Sequence, residues 1–311
     1  MKTEVPVFIF AGFLDSGKTT ALQGTLLKTR RPGEGKAVII CTEEGEEEFK
    51  AEALSNIGIS IVQVEDEEEL TTEYLEDIYG RFEPECVYVE FNSMWNIKTF
   101  ISDILPKGWF VANILSIVDA STYDLYLKNM RQTIMTPLSI SDVILFNRCS
   151  DKFPKSDVRR ALKILNARAE VYFARLDGSI DNTFDDLIFE GEDGGLKIDD
   201  EMFCPWFVDT VENSERYYGK TVSFTGMVTS GKGLKDGQFY IGRYAAICCP
   251  EDAQFIGFVA EYGGEIPEDG DFAEVKAVIV KGEISDNRRV IMLAVNELEK
   301  MERPEDIFVY F

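Results

Sequence analysis

The chain has no histidine at any of its 311 positions. That absence excludes Ser-His-Asp and Cys-His catalysis, imidazole general bases and every histidine metal site. Acid–base work falls to carboxylates, lysine, cysteine or tyrosine, and any metal must be held by thiolates and oxygens. Cysteine is scarce as well: six residues, Cys41, Cys86, Cys149, Cys204, Cys248 and Cys249, with no C-x-x-C spacing among them. No segment approaches the run of about 20 apolar residues that a membrane helix needs, so membrane insertion is not expected. Val5–Phe10 is too short for the apolar region of a cleavable leader, and a cytoplasmic location, with reduced thiols, is the expectation. Basic patches are also missing. The formal net charge is −24, a field that repels phosphate backbones and anionic surfaces, so no nucleic-acid partner is expected.

What is present begins at Ile9-Phe-Ala-Gly-Phe-Leu-Asp-Ser-Gly-Lys-Thr-Thr20. The spacing Gly12-x-x-x-x-Gly17-Lys18-Thr19 is a Walker A pattern. An apolar run, Val5–Phe10, precedes it and reads as a buried parallel strand. Thr20–Leu27 follows and reads as a helix. In that context the backbone N–H groups of Gly12, Asp15, Ser16, Gly17 and Thr20 form an anion cradle at a helix N-terminus. Lys18 supplies charge at the β- and γ-phosphates, and Thr19 offers a hydroxyl to Mg²⁺. Without a ligand, the Lys18 ammonium is expected to face solvent.

Alternating strand and helix patterns continue to about residue 190. Strands are expected at Lys36–Cys41, Ile57–Val64, Cys86–Glu90, Ile114–Asp119, Asp142–Asn147 and Glu170–Phe173. Helices are expected at Leu70–Phe82 and Pro154–Ala169. This is the signature of an α/β fold with a mainly parallel sheet covered on both faces. Glu190-Gly-Glu-Asp-Gly-Gly195 marks a change of texture. Residues 1–190 are expected as the P-loop domain, 191–204 as a linker and 205–311 as a small all-β, OB-like barrel. Five strands are expected in that barrel: Thr221–Thr229, Gln238–Ile247, Phe255–Tyr262, Asp271–Ile284 and Arg289–Leu298.

With GFLDSGKTT in view, the first domain resembles the CobW-like family of P-loop GTPases, described as metallochaperones. The family usually has a glycine where this chain has Asp15. Its N-E-F-G-E motif corresponds to Thr42-Glu43-Glu44-Gly45-Glu46, its E-T-T-G to Glu90-Phe-Asn-Ser93, and its V-D-A to Val118-Asp119-Ala120. Its N-K-x-D base-reading motif corresponds to Asn147-Arg-Cys-Ser150. The resemblance implies a Mg²⁺-dependent GTPase linked to metal delivery or metal homeostasis, with a client protein and with pairing to a second copy left open.

Glu43 and Glu90 then become Mg²⁺-side candidates, and Glu46 and Glu90 candidates to orient the attacking water, because such carboxylates stand at strand C-terminal ends around the phosphates. A solvated acidic loop is the alternative for Glu43 and Glu46. Asp119 reads either as a switch residue or as a helix cap. Asn147 is retained for the base, and Arg148 is expected to stack on a purine as lysine does. Ser150 lacks the carboxylate that reads guanine, so GTP and ATP both stay open.

The family's C-x-C-C motif is absent; Val64-Glu-Asp-Glu-Glu-Glu-Leu70 stands there instead. In the second part, Gly242-Arg-Tyr-Ala-Ala-Ile-Cys-Cys249 with Asp252 resembles the C-terminal region of the YcgQ-like proteins. Cys248, Cys249 and Asp252 are candidate ligands for a thiophilic ion such as Zn²⁺, with Cys204 as a further donor. Small buried apolar cysteines are the alternative reading. An ATP-dependent phosphotransferase and an oligonucleotide-binding module are the other function classes. The first wants basic residues after the P-loop beyond Lys28, Arg30 and Arg31, and the second is opposed by the acidic excess after residue 200.

Overall fold

Continuous apolar strands need helices on both faces, and the computed structural model, which describes residues 4–184, 195–246, 253–285 and 287–310, arranges the chain accordingly. Two compact units result: Met1–Pro154 with Arg168–Thr183, and Lys155–Ala167 with Phe184–Phe311.

In the first unit the strands are β1 (Val5–Ala11), β2 (Ala37–Cys41), β3 (Ile59–Gln63), β4 (Cys86–Glu90), β5 (Trp109–Asp119), β6 (Val143–Cys149) and β7 (Glu170–Arg175). They pair in the order β3-β2-β4-β1-β5-β6-β7, and every pairing is parallel. All five residues of β2 are buried, as a strand covered on both sides requires. α1 (Lys18–Thr29) follows the glycine-rich turn, burying Leu22 and Leu26 against Ile39 and Ile117. After α2 (Ala51–Ser55), α3 (Thr72–Phe82) buries Leu75 and Ile78. Thr71 caps α3 by accepting from the Tyr74 N–H at 3.2 Å. A short α4 (Ile97–Thr99) precedes β5.

The strand order places the site. Cys41 lies opposite Glu90 in register, and Asp119 opposite Asn147, so residues far apart in sequence meet at one edge of the sheet. Two helices not anticipated from the sequence, α5 (Tyr123–Asn129) and α6 (Arg131–Ile140), lie between β5 and β6. Pro137 sits inside α6. Proline removes a helical hydrogen bond, which masks the helical pattern.

The helix expected at Pro154–Ala169 is present as α7 (Lys155–Leu165), burying Val158, Ala161, Leu162 and Ile164. Its contacts place it in the second unit, where Arg159 donates to Glu212 at 2.7 and 2.8 Å. An amphipathic stripe shows that a face is buried, not which sheet buries it. The boundary near residue 190 is corrected on that point. The expected linker at 191–204 is corrected too, since β8 (Gly195–Lys197) pairs with a later strand and α8 (Asp200–Glu212) begins within it.

All five strands expected after residue 205 occur: β9 (Thr221–Thr229), β10 (Gln238–Ala246), β11 (Gln254–Glu261), β12 (Phe272–Glu283) and β13 (Arg289–Met301), followed by β14 (Phe308–Tyr310). The sheet order is β14-β10-β11-β13-β12-β9-β8, with β9 also pairing β10. It is a mixed sheet, because β8–β9, β10–β14 and β11–β13 are parallel. With α8 packed on it, the expected all-β make-up of an OB-like domain is corrected. α8 carries Trp206, fully buried against Phe203, Phe224 and Phe258. Asp199 caps α8 by accepting from the Met202 N–H at 2.9 Å. Asp199→Ala is expected to destabilise this unit by about 1 kcal/mol, read as a lower urea midpoint at unchanged slope; an unchanged midpoint would show that the cap is dispensable.

Candidate nucleotide site

The turn between β1 and α1 needs backbone conformations that side chains disfavour. Gly12 (φ +143°) passes so close to β5 that a Cβ would stand 2.2 Å from the Ile117 carbonyl oxygen. Gly17 (φ +102°) would meet Asn147 Nδ2 at 2.8 Å. Asp15 is left-handed as well, at φ +57°. Aspartate tolerates that region better than most residues, at a cost of about 1 kcal/mol relative to glycine.

Lys18 does not face solvent. It is 2% exposed, its Nζ donates to the Gly12 and Phe13 carbonyls at 2.8 Å each, and it forms an ion pair with Glu43. An ammonium buried without acceptors is costly, and the loop carbonyls with Glu43 supply them. Burial pushes the Glu43 carboxyl above its usual range, and the Lys18 charge only partly opposes this.

Thr19 Oγ1 donates to Glu90 Oε1 at 2.6 Å. Glu90 is itself 3% exposed, with Cys41 Sγ 3.5 Å from its Oε2. Burial first, and the Glu90 charge second, push the Cys41 thiol up to about 12. Glu46 is exposed, and its backbone N–H donates to Asp15 Oδ1 at 3.0 Å. Gly17, Lys18, Thr19, Thr20, Glu43, Glu46 and Glu90 all line one cavity of about 280 Å³, together with Asp15 and Arg148.

Asn147 Nδ2 donates to the Ser16 carbonyl at 3.3 Å, bracing the loop. Arg148, expected to stack on a purine, is held at the rim of the same cavity by two contacts. Its Nη1 donates to the Asp15 carbonyl at 2.9 Å and pairs with Asp119. Burial raises the Asp119 carboxyl, but the Ser121 hydroxyl and amide and the Arg148 guanidinium more than reverse this and hold it below the usual range. Ser150 and Asp151 are exposed. Three participants were not singled out from sequence. The Ser93 hydroxyl accepts from the Gly12 N–H at 2.7 Å, and Thr42 Oγ1 bridges the Glu90 carbonyl and the Asn92 N–H. Gln23 contacts Glu47 and Lys50. Thr42 and Ser93 stand at the ends of motif segments and Gln23 lies on α1, and nothing in a single sequence marks their partners.

Cys248, Cys249 and Asp252 lie outside the described residues. Cys204 is fully buried in the core of the second unit, and burial pushes its thiol up to about 12, so it is not placed as a metal donor. Among the described residues no group of three or more Cys, Asp or Glu is arranged to hold a metal, and no helix is long and apolar enough to cross a membrane.

The model of the CobW/HypB/UreG nucleotide-binding domain matches residues 6–173. The chain belongs to this family. A second match, to the DUF1980 C-terminal domain, covers residues 184–311. No curated protein matches the chain. Among solved structures, the Zn(II)-bound YjiA GTPase from E. coli is 23% identical over 57% of this chain and 59% of its own, with a TM-score of 0.42. The chain thus spans less than two thirds of that protein. HypB, the hydrogenase maturation factor of Archaeoglobus fulgidus, is 17% identical over 57% of this chain and 84% of its own, TM-score 0.40. HypB from Helicobacter pylori in complex with nickel is 16% identical over 55% and 79%, TM-score 0.33.

Proposed function

We propose that this CobW/HypB/UreG-family chain is a cytoplasmic GTPase that binds a nucleoside triphosphate in the 280 Å³ cavity and hydrolyses its γ-phosphate. The observation that carries this reading is the convergence of Lys18, Thr19 and Glu90 on one glycine-shaped loop. The buried Ser16 hydroxyl, which has no hydrogen-bond partner among the described residues, adds an orphan polar group at the same loop. The Thr19 hydroxyl and the Glu90 carboxylate are hard oxygen donors 2.6 Å apart, a set that fits Mg²⁺. When bound, Mg²⁺ would supply charge neutralisation at the phosphate oxygens.

The chain's own residues do the rest. Lys18 and the loop N–H groups hold the phosphates, and Asn147 keeps the loop in shape. Glu46, exposed beside the cavity, accepts a proton from the attacking water or orients it, a task no imidazole is present to perform. Turnover is expected to be slow without an assisting partner, as in unassisted GTPases. A metal-linked purpose follows from family membership. The test is phosphate release from GTP and ATP by the purified full chain with Mg²⁺; release from neither overturns the hydrolase reading.

Guanine preference rests on Asn147 with a damaged partner position. Ser150→Asp places a carboxylate where it can accept both guanine donors, and charge-assisted bonds of this kind are roughly twice as strong as neutral ones. The GTP-to-ATP affinity ratio is expected to rise about tenfold, the effect of about 1.4 kcal/mol. An unchanged ratio in competition binding would place the base elsewhere.

A further inference from the structure

The chain's own groups occupy the Lys18 ammonium at the phosphate cradle. An ammonium has three donors, and on Lys18 all three are taken, by the Gly12 carbonyl, the Phe13 carbonyl and Glu43. The two carbonyls belong to the loop itself. Glu43, itself largely buried, heads the segment after β2 whose residues 44–48 are exposed, so it is the partner that can leave. That segment is tied down at further points. Asp15 Oδ1 accepts from the Glu46 N–H at 3.0 Å. Gln23, on α1, donates to Glu47 Oε1 at 3.1 Å and accepts from the Lys50 N–H at 3.1 Å.

We propose that segment 43–50 is an internal competitor of the nucleotide: the Glu43 carboxylate takes, on Lys18, the place of a phosphate oxygen, and Asp15 latches the segment shut. The inference rests on the nucleotide-binding reading above. Two carboxylates facing the cradle cannot share it comfortably with a polyphosphate, because like charges at contact repel strongly when partly buried. Closure and binding therefore exclude one another, and the segment's position reports occupancy. The backbone supports the same conclusion. Asp15 holds a left-handed conformation that glycine would adopt freely, so the chain accepts strain at the residue whose carboxylate makes the latch.

A competitor of this kind reduces apparent affinity by the fraction of molecules that are open. With the open form at about 10%, removing the latch raises affinity about tenfold. The experiment uses the full chain and a fluorescent N-methylanthraniloyl-GTP at fixed Mg²⁺. Wild type is compared with Glu43→Gln, which removes the charge but keeps the shape, and with Asp15→Gly, which removes the latch and relieves the backbone. Hydrogen exchange of residues 43–50 is followed in the nucleotide-free proteins. Tighter binding with faster exchange of the segment, in both variants, is the expected result. Unchanged or weaker binding in variants that remain folded, with wild type still binding, overturns the competitor and leaves the nucleotide reading standing; weaker binding by Glu43→Gln would make Glu43 a ligand instead. Binding by none of the three proteins overturns the nucleotide reading and the competitor with it.

Discussion

Lys18→Ala is expected to abolish nucleotide binding. Among the described residues the ammonium is the only lysine charge lining the cavity, and a polyphosphate entering beside Asp15, Glu43, Glu46, Glu47 and Glu90 has few other cations to meet. Loss of at least a thousandfold in affinity, about 4 kcal/mol, is expected by equilibrium titration with GTP and ATP. The substitution also has a structural effect that solvent-facing lysines lack. Glu43 loses its ion partner while still buried, and an orphaned buried group costs about 1–3 kcal/mol. The melting temperature should therefore fall, and adding Glu43→Gln should recover part of the loss. If Lys18→Ala binds Mg-GTP as wild type does, the cradle is not where the phosphates sit.

Glu90→Gln separates chemistry from binding. The amide keeps the size of the side chain and can still meet the Thr19 hydroxyl, but it is a weak Mg²⁺ donor and no base. Hydrolysis should fall by about 10²–10⁴-fold, with nucleotide affinity changed much less, and single-turnover phosphate release is the readout. Glu46→Gln should act in the same direction. Its side chain is exposed, so its loss does not disturb the core. Parent rates in both variants would show that neither carboxylate takes part.

Local features of this site were legible in the sequence, and pairings were not. The Walker spacing needs only a strand, a turn and a helix in succession, so Gly12, Gly17, Lys18 and Thr19 could be assigned from it. Glu90 could be singled out because a carboxylate ending an apolar strand must have a partner. That the partner is Thr19 follows from β4 lying beside β1, a non-local fact. The burial of Lys18 was missed for the same reason, since its counter-charge arrives from the segment after β2. The Arg148–Asp119 pair was likewise not legible, because it depends on β5 and β6 being neighbours. In the second unit the strands were legible from alternation. The allegiance of α7 and the depth of Cys204 depend on which surfaces meet, which periodicity does not encode.

The most direct measurement is a crystal structure of the full chain with Mg²⁺ and a non-hydrolysable GTP analogue. The predicted result has the β- and γ-phosphates on the N–H groups of Asp15 and residues 17–20, Lys18 on the phosphates and no longer paired with Glu43, and Mg²⁺ at Thr19 and Glu90. An analogue bound elsewhere, or bound with the Lys18–Glu43 pair intact, would contradict it.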